Sequence, residues 1–156
     1  MMYFDALPQP QYQPLQVIQS LKAAAQSELL TCSLYRLVHK SLKSHKHPLC
    51  TFALDAYRED LSHYETLMSL VSHLEQSESC QTQTQTLAAK PLIRTPNPKR
   101  LLARIEAAEK ASVLCQQNIC AMTLGYNYKV FDSVYSILHE NIQHNLRAHR
   151  YREASA

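Results

Sequence analysis

The chain has 156 residues and a mass of 17.9 kDa, the size of one compact domain with a single core. A hydrophobic share of 46% against 19% charged residues excludes a wholly disordered chain, and a net charge of +3 spread along the sequence is too weak to imply nucleic acid. One glycine, with seven prolines confined to positions 1–14, Pro48 and 91–98, excludes a turn-dense β architecture and any glycine-rich phosphate loop. No apolar run approaches the roughly 18 residues that span a bilayer, and positions 1–14 lack the basic start and apolar centre of a signal peptide. A soluble, cytoplasmic, all-α domain without a membrane partner is therefore expected. The five cysteines, odd in number and without a CxxC pair, read as thiols.

An extended segment, 1–14, leads into a helix predicted over 15–43, which is free of Pro and Gly. Its seam of three- and four-residue steps runs Ile18, Leu21, Ala25, Glu28, Cys32, Tyr35, His39, Leu42. Glu28 is the only acidic residue of that helix and sits inside the seam, where a buried carboxylate needs a partner. A second helix is predicted over 50–79 with the seam Ala53, Ala56, Asp60, His63, Leu67, Leu70, Leu74. Positions 80–98 lose the period and read as a crossover, able to reach at most ~60 Å and so to return along a bundle ~45 Å long. The third helix, over 99–124, carries Leu102, Ile105, Glu109, Ser112, Gln116, Ile119 and Thr123, and the lone Gly125 closes it where a left-handed residue is needed. The fourth, over 128–151, carries Val130, Val134, Ile137, Asn141, His144, Ala148 and Tyr151, leaving 152–156 as a tail.

The polar interruptions of the seams repeat. Glu28 precedes Asp60 by 32 residues and His63 by 35, and Glu109 precedes Asn141 and His144 by the same two intervals. In an antiparallel hairpin, residues equally far from the turn lie level. The midpoint of Glu28 and His63 falls between positions 45 and 46, and that of Glu109 and His144 between 126 and 127. Both pairs then sit about 26 Å from their turns, so both halves aim carboxylates and imidazoles at one depth, as a transition metal requires.

These residues resemble the ferritin-like di-iron carboxylate superfamily of bacterioferritin- and rubrerythrin-like four-helix bundles. Its sites take a Glu from each of two helices and a Glu-x-x-His from each of the other two. The matching elements are Glu28, Asp60-Leu-Ser-His63, Glu109 and Asn141-Ile-Gln-His144, over 15–151. Tyr35, seven residues after Glu28, stands where bacterioferritin-like sequences often keep a tyrosine beside the metals. The resemblance implies an up-down-down-up bundle whose metal ligands are Glu28, Asp60, His63, Glu109, His144 and Asn141. It implies one or two iron ions per chain, with manganese or zinc as substitutes, and O2- or peroxide-linked oxidation such as ferroxidase chemistry, in which Tyr35 gives an electron or a hydrogen bond.

The second Glu-x-x-His is degenerate. Asp60 is one methylene shorter than the usual Glu, and Asn141 replaces a carboxylate, so a second divalent ion should be held more weakly. Counting carboxylates puts the tighter ion near Glu28, Asp60 and His63, with Glu106 and Glu140 as reserve ligands. Leu61 stands where bacterioferritins place a haem-ligating methionine, so no haem is expected, and with 12 residues after His144 the fifth helix of cage-forming members is not expected either. A homodimer or other small homo-oligomer, joined through Leu29, Leu37 and Phe52, is the expected assembly. Cys32 reads as a small core residue, and His39, His45, His47, His73, His139 and His149 read as surface or packing residues. Two rival readings are a metal-free ferritin-fold module for interaction or scaffolding, and a DNA-associated mini-ferritin using Lys99, Arg100, Arg104 and the arginines of 147–152.

Overall fold

A computed structural model describes residues 11–42, 46–79 and 97–155. They form four helices and, among the described residues, no strand: α1 (Pro14–Ser41), α2 (Pro48–Ser77), α3 (Pro98–Thr123) and α4 (Tyr128–Ala154). The first three begin one or two residues before the expected positions, because proline fits the first helical turn, where its missing N–H costs nothing. Side-chain caps set three starts: His47 Nδ1 accepts from Leu49 N, Asn97 Oδ1 from Lys99 N and Asn127 Oδ1 from Val130 N. At the other end of the chain the expected tail is shortened, since α4 runs to Ala154.

Contacts between helices give the topology. From α1 to α2, Lys22 meets Glu75, Glu28 meets His63 and His39 meets Cys50, so the two run antiparallel. From α1 to α3, Glu28 meets Gln116 and Tyr35 meets Glu109, again antiparallel. From α3 to α4, Glu109 meets His144 and Glu106 meets His149. The result is an all-α four-helix bundle of up-down-down-up course. The predicted crossover, 80–98, lies outside the described residues except for its last two positions. Between α3 and α4, Gly125 has φ +81°, and Tyr126 N and Asn127 N both donate to Thr123 O, the left-handed closure expected there.

The predicted seams are the buried faces: of their residues only His39, Leu42 and Tyr151 keep partial exposure. The core falls into two apolar clusters. One is built on Ile18, Leu21, Leu67, Leu70, Ile119 and Val134, the other on Val38, Phe52, Leu101, Leu102, Ile105 and Ala148. Between them lies a polar layer of Glu28, Thr31, Asp60, His63, Glu109, Ser112, Gln116, Asn141 and His144, all buried. Phe52 belongs to the core, 1% exposed, stacked on Tyr151 and edge-on to Tyr35, which corrects its assignment to an outer interface. Its position follows from the inward path of α2, where it neighbours the seam residue Ala53.

Candidate metal centre

To the expected ligand set α1 and α3 each supply one seam glutamate and α2 and α4 each an i,i+3 pair, and the four meet. Glu28, Asp60 and His63 form one group whose ligand atoms lie within 4.8 Å of one another, and Asp60, Glu109 and His144 form a second. Asp60 belongs to both. The two imidazoles lie with centroids 6.1 Å apart and planes inclined by 26°. All five expected carboxylate and histidine ligands are thus brought together, and Asn141 arrives with them.

The inner ring nitrogens face the carboxylates. His63 Nδ1 is 3.3 Å from Glu28 Oε2 and 3.8 Å from Asp60 Oδ1, while His144 Nδ1 is 3.1 Å from Asp60 Oδ1 and 3.5 Å from Glu109 Oε1. The outer nitrogens are held by two half-exposed glutamates across the α2–α4 gap: Glu140 Oε2 is 2.6 Å from His63 Nε2, and Glu59 Oε2 is 2.6 Å from His144 Nε2. Such outer partners fix the orientation of a metal-binding imidazole and raise its basicity.

Tyr35, fully buried, donates from its hydroxyl to Glu109 Oε1 at 2.9 Å, and its ring meets His144 edge-on. Burial, followed by the charges of Glu109 and Asp60, holds its phenol well above the usual range. Asn141 Nδ2 and Gln116 Nε2 both donate to Glu28 Oε1, at 2.6 and 2.7 Å.

Electrostatics follow from burial and crowding. Desolvation is the largest influence on Asp60 and raises it, and desolvation likewise raises Glu109, to about 7, with the Asp60 charge adding to it. Desolvation would lower both histidines, yet the facing carboxylates overcome it, raising His63 to about 9 through Glu28 and Glu140 and His144 to about 11 through Asp60 and Glu109. A cluster that pulls cationic protons this strongly is deficient in positive charge.

Orphaned atoms show where the deficiency lies. Asp60 Oδ1 and Oδ2, Glu109 Oε2 and His144 Nδ1 are buried without a well-directed hydrogen bond, as are the amide oxygens of Gln116 and Asn141, although His144 Nδ1 and Asp60 Oδ1 face each other at 3.1 Å. Buried carboxylate oxygens left bare cost several kcal/mol unless a cation meets them. A divalent transition metal fits this donor set, imidazole nitrogen with carboxylate oxygen.

The reserve ligands take other roles. Glu106 is turned to α4, where it accepts from Arg152 Nε and faces His149 Nδ1 at 2.8 Å, because a guanidinium at the rim is a better partner than a site already crowded with carboxylates. Glu140, about 100° around the helix from Asn141, meets His63 from outside. Cys32 behaves as a core residue: its Sγ donates to Tyr57 O at 3.5 Å, and burial pushes the thiol up to about 11. Of the remaining histidines, His47 caps α2, His139 packs on Tyr135, His149 pairs with Glu106, and His45 lies outside the described residues.

Sequence reasoning missed Glu59 and the roles of Glu140 and Gln116. A signal was present: Glu59 and Glu140 directly precede Asp60 and Asn141, and Gln116 follows Glu109 by seven residues as Tyr35 follows Glu28, all at one offset of 81 residues between the halves.

No family model matches the chain, and no curated protein is significantly similar to it. The four-helix architecture and the buried carboxylate–histidine groups are compatible with a ferritin-like fold. No helix among the described residues is long and apolar enough to cross a membrane.

Proposed function

We propose that this protein is a ferritin-like iron-binding bundle with O2- or peroxide-linked oxidation chemistry, ferroxidation being its simplest form. The observation that carries the reading is the pair of overlapping ligand groups sharing Asp60, sealed between two apolar clusters. Asp60, Glu109, His144, Glu28 and His63 are the residues available to hold the metal. Ferrous iron is itself the substrate in this reading, each ion giving one electron to O2 or peroxide. The chain's own part is to strip water from the ion, offer it charged oxygens, and keep both imidazoles aimed inward through Glu59 and Glu140. Tyr35, hydrogen-bonded to Glu109, is placed to steady that carboxylate or to give an electron.

The metal-free scaffold reading has one observation in its favour, the full hydrogen bonding of Glu28 by chain donors. It leaves Asp60 Oδ2 and Glu109 Oε2 buried with no hydrogen-bond donor, and so stands second.

Anaerobic titration with ferrous iron, followed by exposure to O2 and ferric absorbance, tests the proposal. The unaltered chain should bind at least one ion and oxidise it faster than buffer does, and Asp60→Asn should lose both properties, since it removes the carboxylate common to both groups. Iron uptake unchanged in Asp60→Asn would overturn the site.

A further inference from the structure

The two halves of the cluster correspond residue by residue at the offset of 81, and their differences decide what each can hold. Glu28 corresponds to Glu109, Tyr35 to Gln116 and Asp60 to Asn141. Around Glu28, both corresponding places carry amide donors: Gln116 and Asn141 converge on Oε1, and His63 Nδ1 faces Oε2. Around Glu109, one place carries a single hydroxyl donor, Tyr35, and the other carries Asp60, itself a carboxylate. A buried carboxylate clamped by two amides is already satisfied. Two buried carboxylates whose oxygens lie within 4.8 Å of one another repel unless a proton or a cation stands between them.

The unpartnered atoms divide the same way. Among the described residues, the buried carboxylate oxygens and ring nitrogens without a hydrogen bond belong to Asp60, Glu109 and His144 and none to Glu28 or His63, while the clamping amides of Gln116 and Asn141 leave only their oxygens unpartnered. An ion beside Glu28 could reach it only through Oε2, because chelation through Oε1 as well would displace the amides of Gln116 and Asn141 and leave two buried donors without an acceptor. Charge points the same way, because the three buried carboxylates of the cluster, Glu28, Asp60 and Glu109, cannot neutralise the four positive charges of two divalent ions.

We infer that the cluster holds one tightly bound divalent cation per chain, among Asp60, Glu109 and His144, and that Gln116 and Asn141 clamp Glu28 so that its half does not take a second ion. The inference rests on the metal-binding reading above. It reverses the expectation drawn from counting carboxylates, which put the tighter ion beside Glu28 and His63.

The test is an anaerobic titration of the chelator-stripped full chain with Co2+ alone, read by calorimetry and by the visible absorption of the bound ion, with circular dichroism reporting the fold of each variant. The unaltered protein should saturate at one tight ion. Glu109→Gln should weaken that ion by on the order of a hundredfold or more, and Glu28→Gln should weaken it by clearly less. Asn141→Asp removes one amide donor and adds a carboxylate at nearly constant volume, so it should raise the stoichiometry to two even if Glu28→Gln fails to fold. Two equally tight ions in the unaltered chain, a tight ion lost in a folded Glu28→Gln but kept in Glu109→Gln, or a stoichiometry of one in Asn141→Asp would overturn the inference alone. Absence of any bound Co2+ in the unaltered chain would overturn the metal-binding reading with it.

Discussion

At the residue scale, the two half-exposed glutamates outside the seams do as much to define the centre as some residues within it. Glu59 on α2 serves His144 on α4, and Glu140 on α4 serves His63 on α2, each from the position just before the inward-facing Asp60 or Asn141. Without Glu59, His144 loses the partner that fixes which ring nitrogen faces inward. Glu59→Gln should therefore weaken metal binding about ten- to hundredfold, while Glu140→Gln, acting on the imidazole of the clamped half, should have the smaller effect. Competition against a chromophoric chelator measures both. Equal losses in the two variants would mean that His63 and His144 serve the ion equally.

At the element scale, the end of α4 is tied to α3 through Glu106. Burial works to raise this carboxyl, but hydrogen bonds from Arg152 and His149 outweigh it, so Glu106 titrates below its ordinary 4.5. A folded-state value below the unfolded one gives stability that is present above pH 4.5 and lost as pH falls through the depressed value. Glu106→Gln should accordingly lower the thermal midpoint at neutral pH, and the gap to the unaltered chain should close as the solution is acidified below 4.5. A gap that stays constant through the acid range would show that Glu106 acts by packing and not by charge. The same helix shows why the tail expectation fell short: the last turn, with Arg152 anchored to Glu106 of α3, has tertiary support that hydrophobic periodicity does not register.

At the scale of the whole molecule, assembly depends on which apolar side chains remain outside. Phe52 is withdrawn from any interface by its burial, whereas Leu37 is half-buried and Leu30, two turns earlier on the same face of α1, is 44% exposed. A homodimer through this face is the proposed assembly, because apolar side chains left partly exposed on a helix gain by pairing with their own copies about a two-fold axis. Light scattering should give twice the chain mass of 17.9 kDa, and Leu30→Glu should return it to one. A particle of twelve or more chains would instead move iron storage ahead of small-oligomer oxidation.

Much of this protein was legible in its sequence alone. Steps of three and four residues set which side chains turn inward from each helix, and equal distance from a turn set the depth at which Glu28 meets His63 and Glu109 meets His144. Those are properties of one helix, or of one hairpin, and need no knowledge of the rest. Which donors reach Glu28 was decided by tertiary structure, because Gln116 and Asn141 come from the other hairpin, and periodicity records a side chain's direction about its own axis without naming the helix it faces. The same limit hid Glu59 and Glu140. Off the seams, Glu59 carried no signal of its own and Glu140 read only as a reserve ligand, and only the approach of α2 to α4 turned their carboxylates onto the two imidazoles.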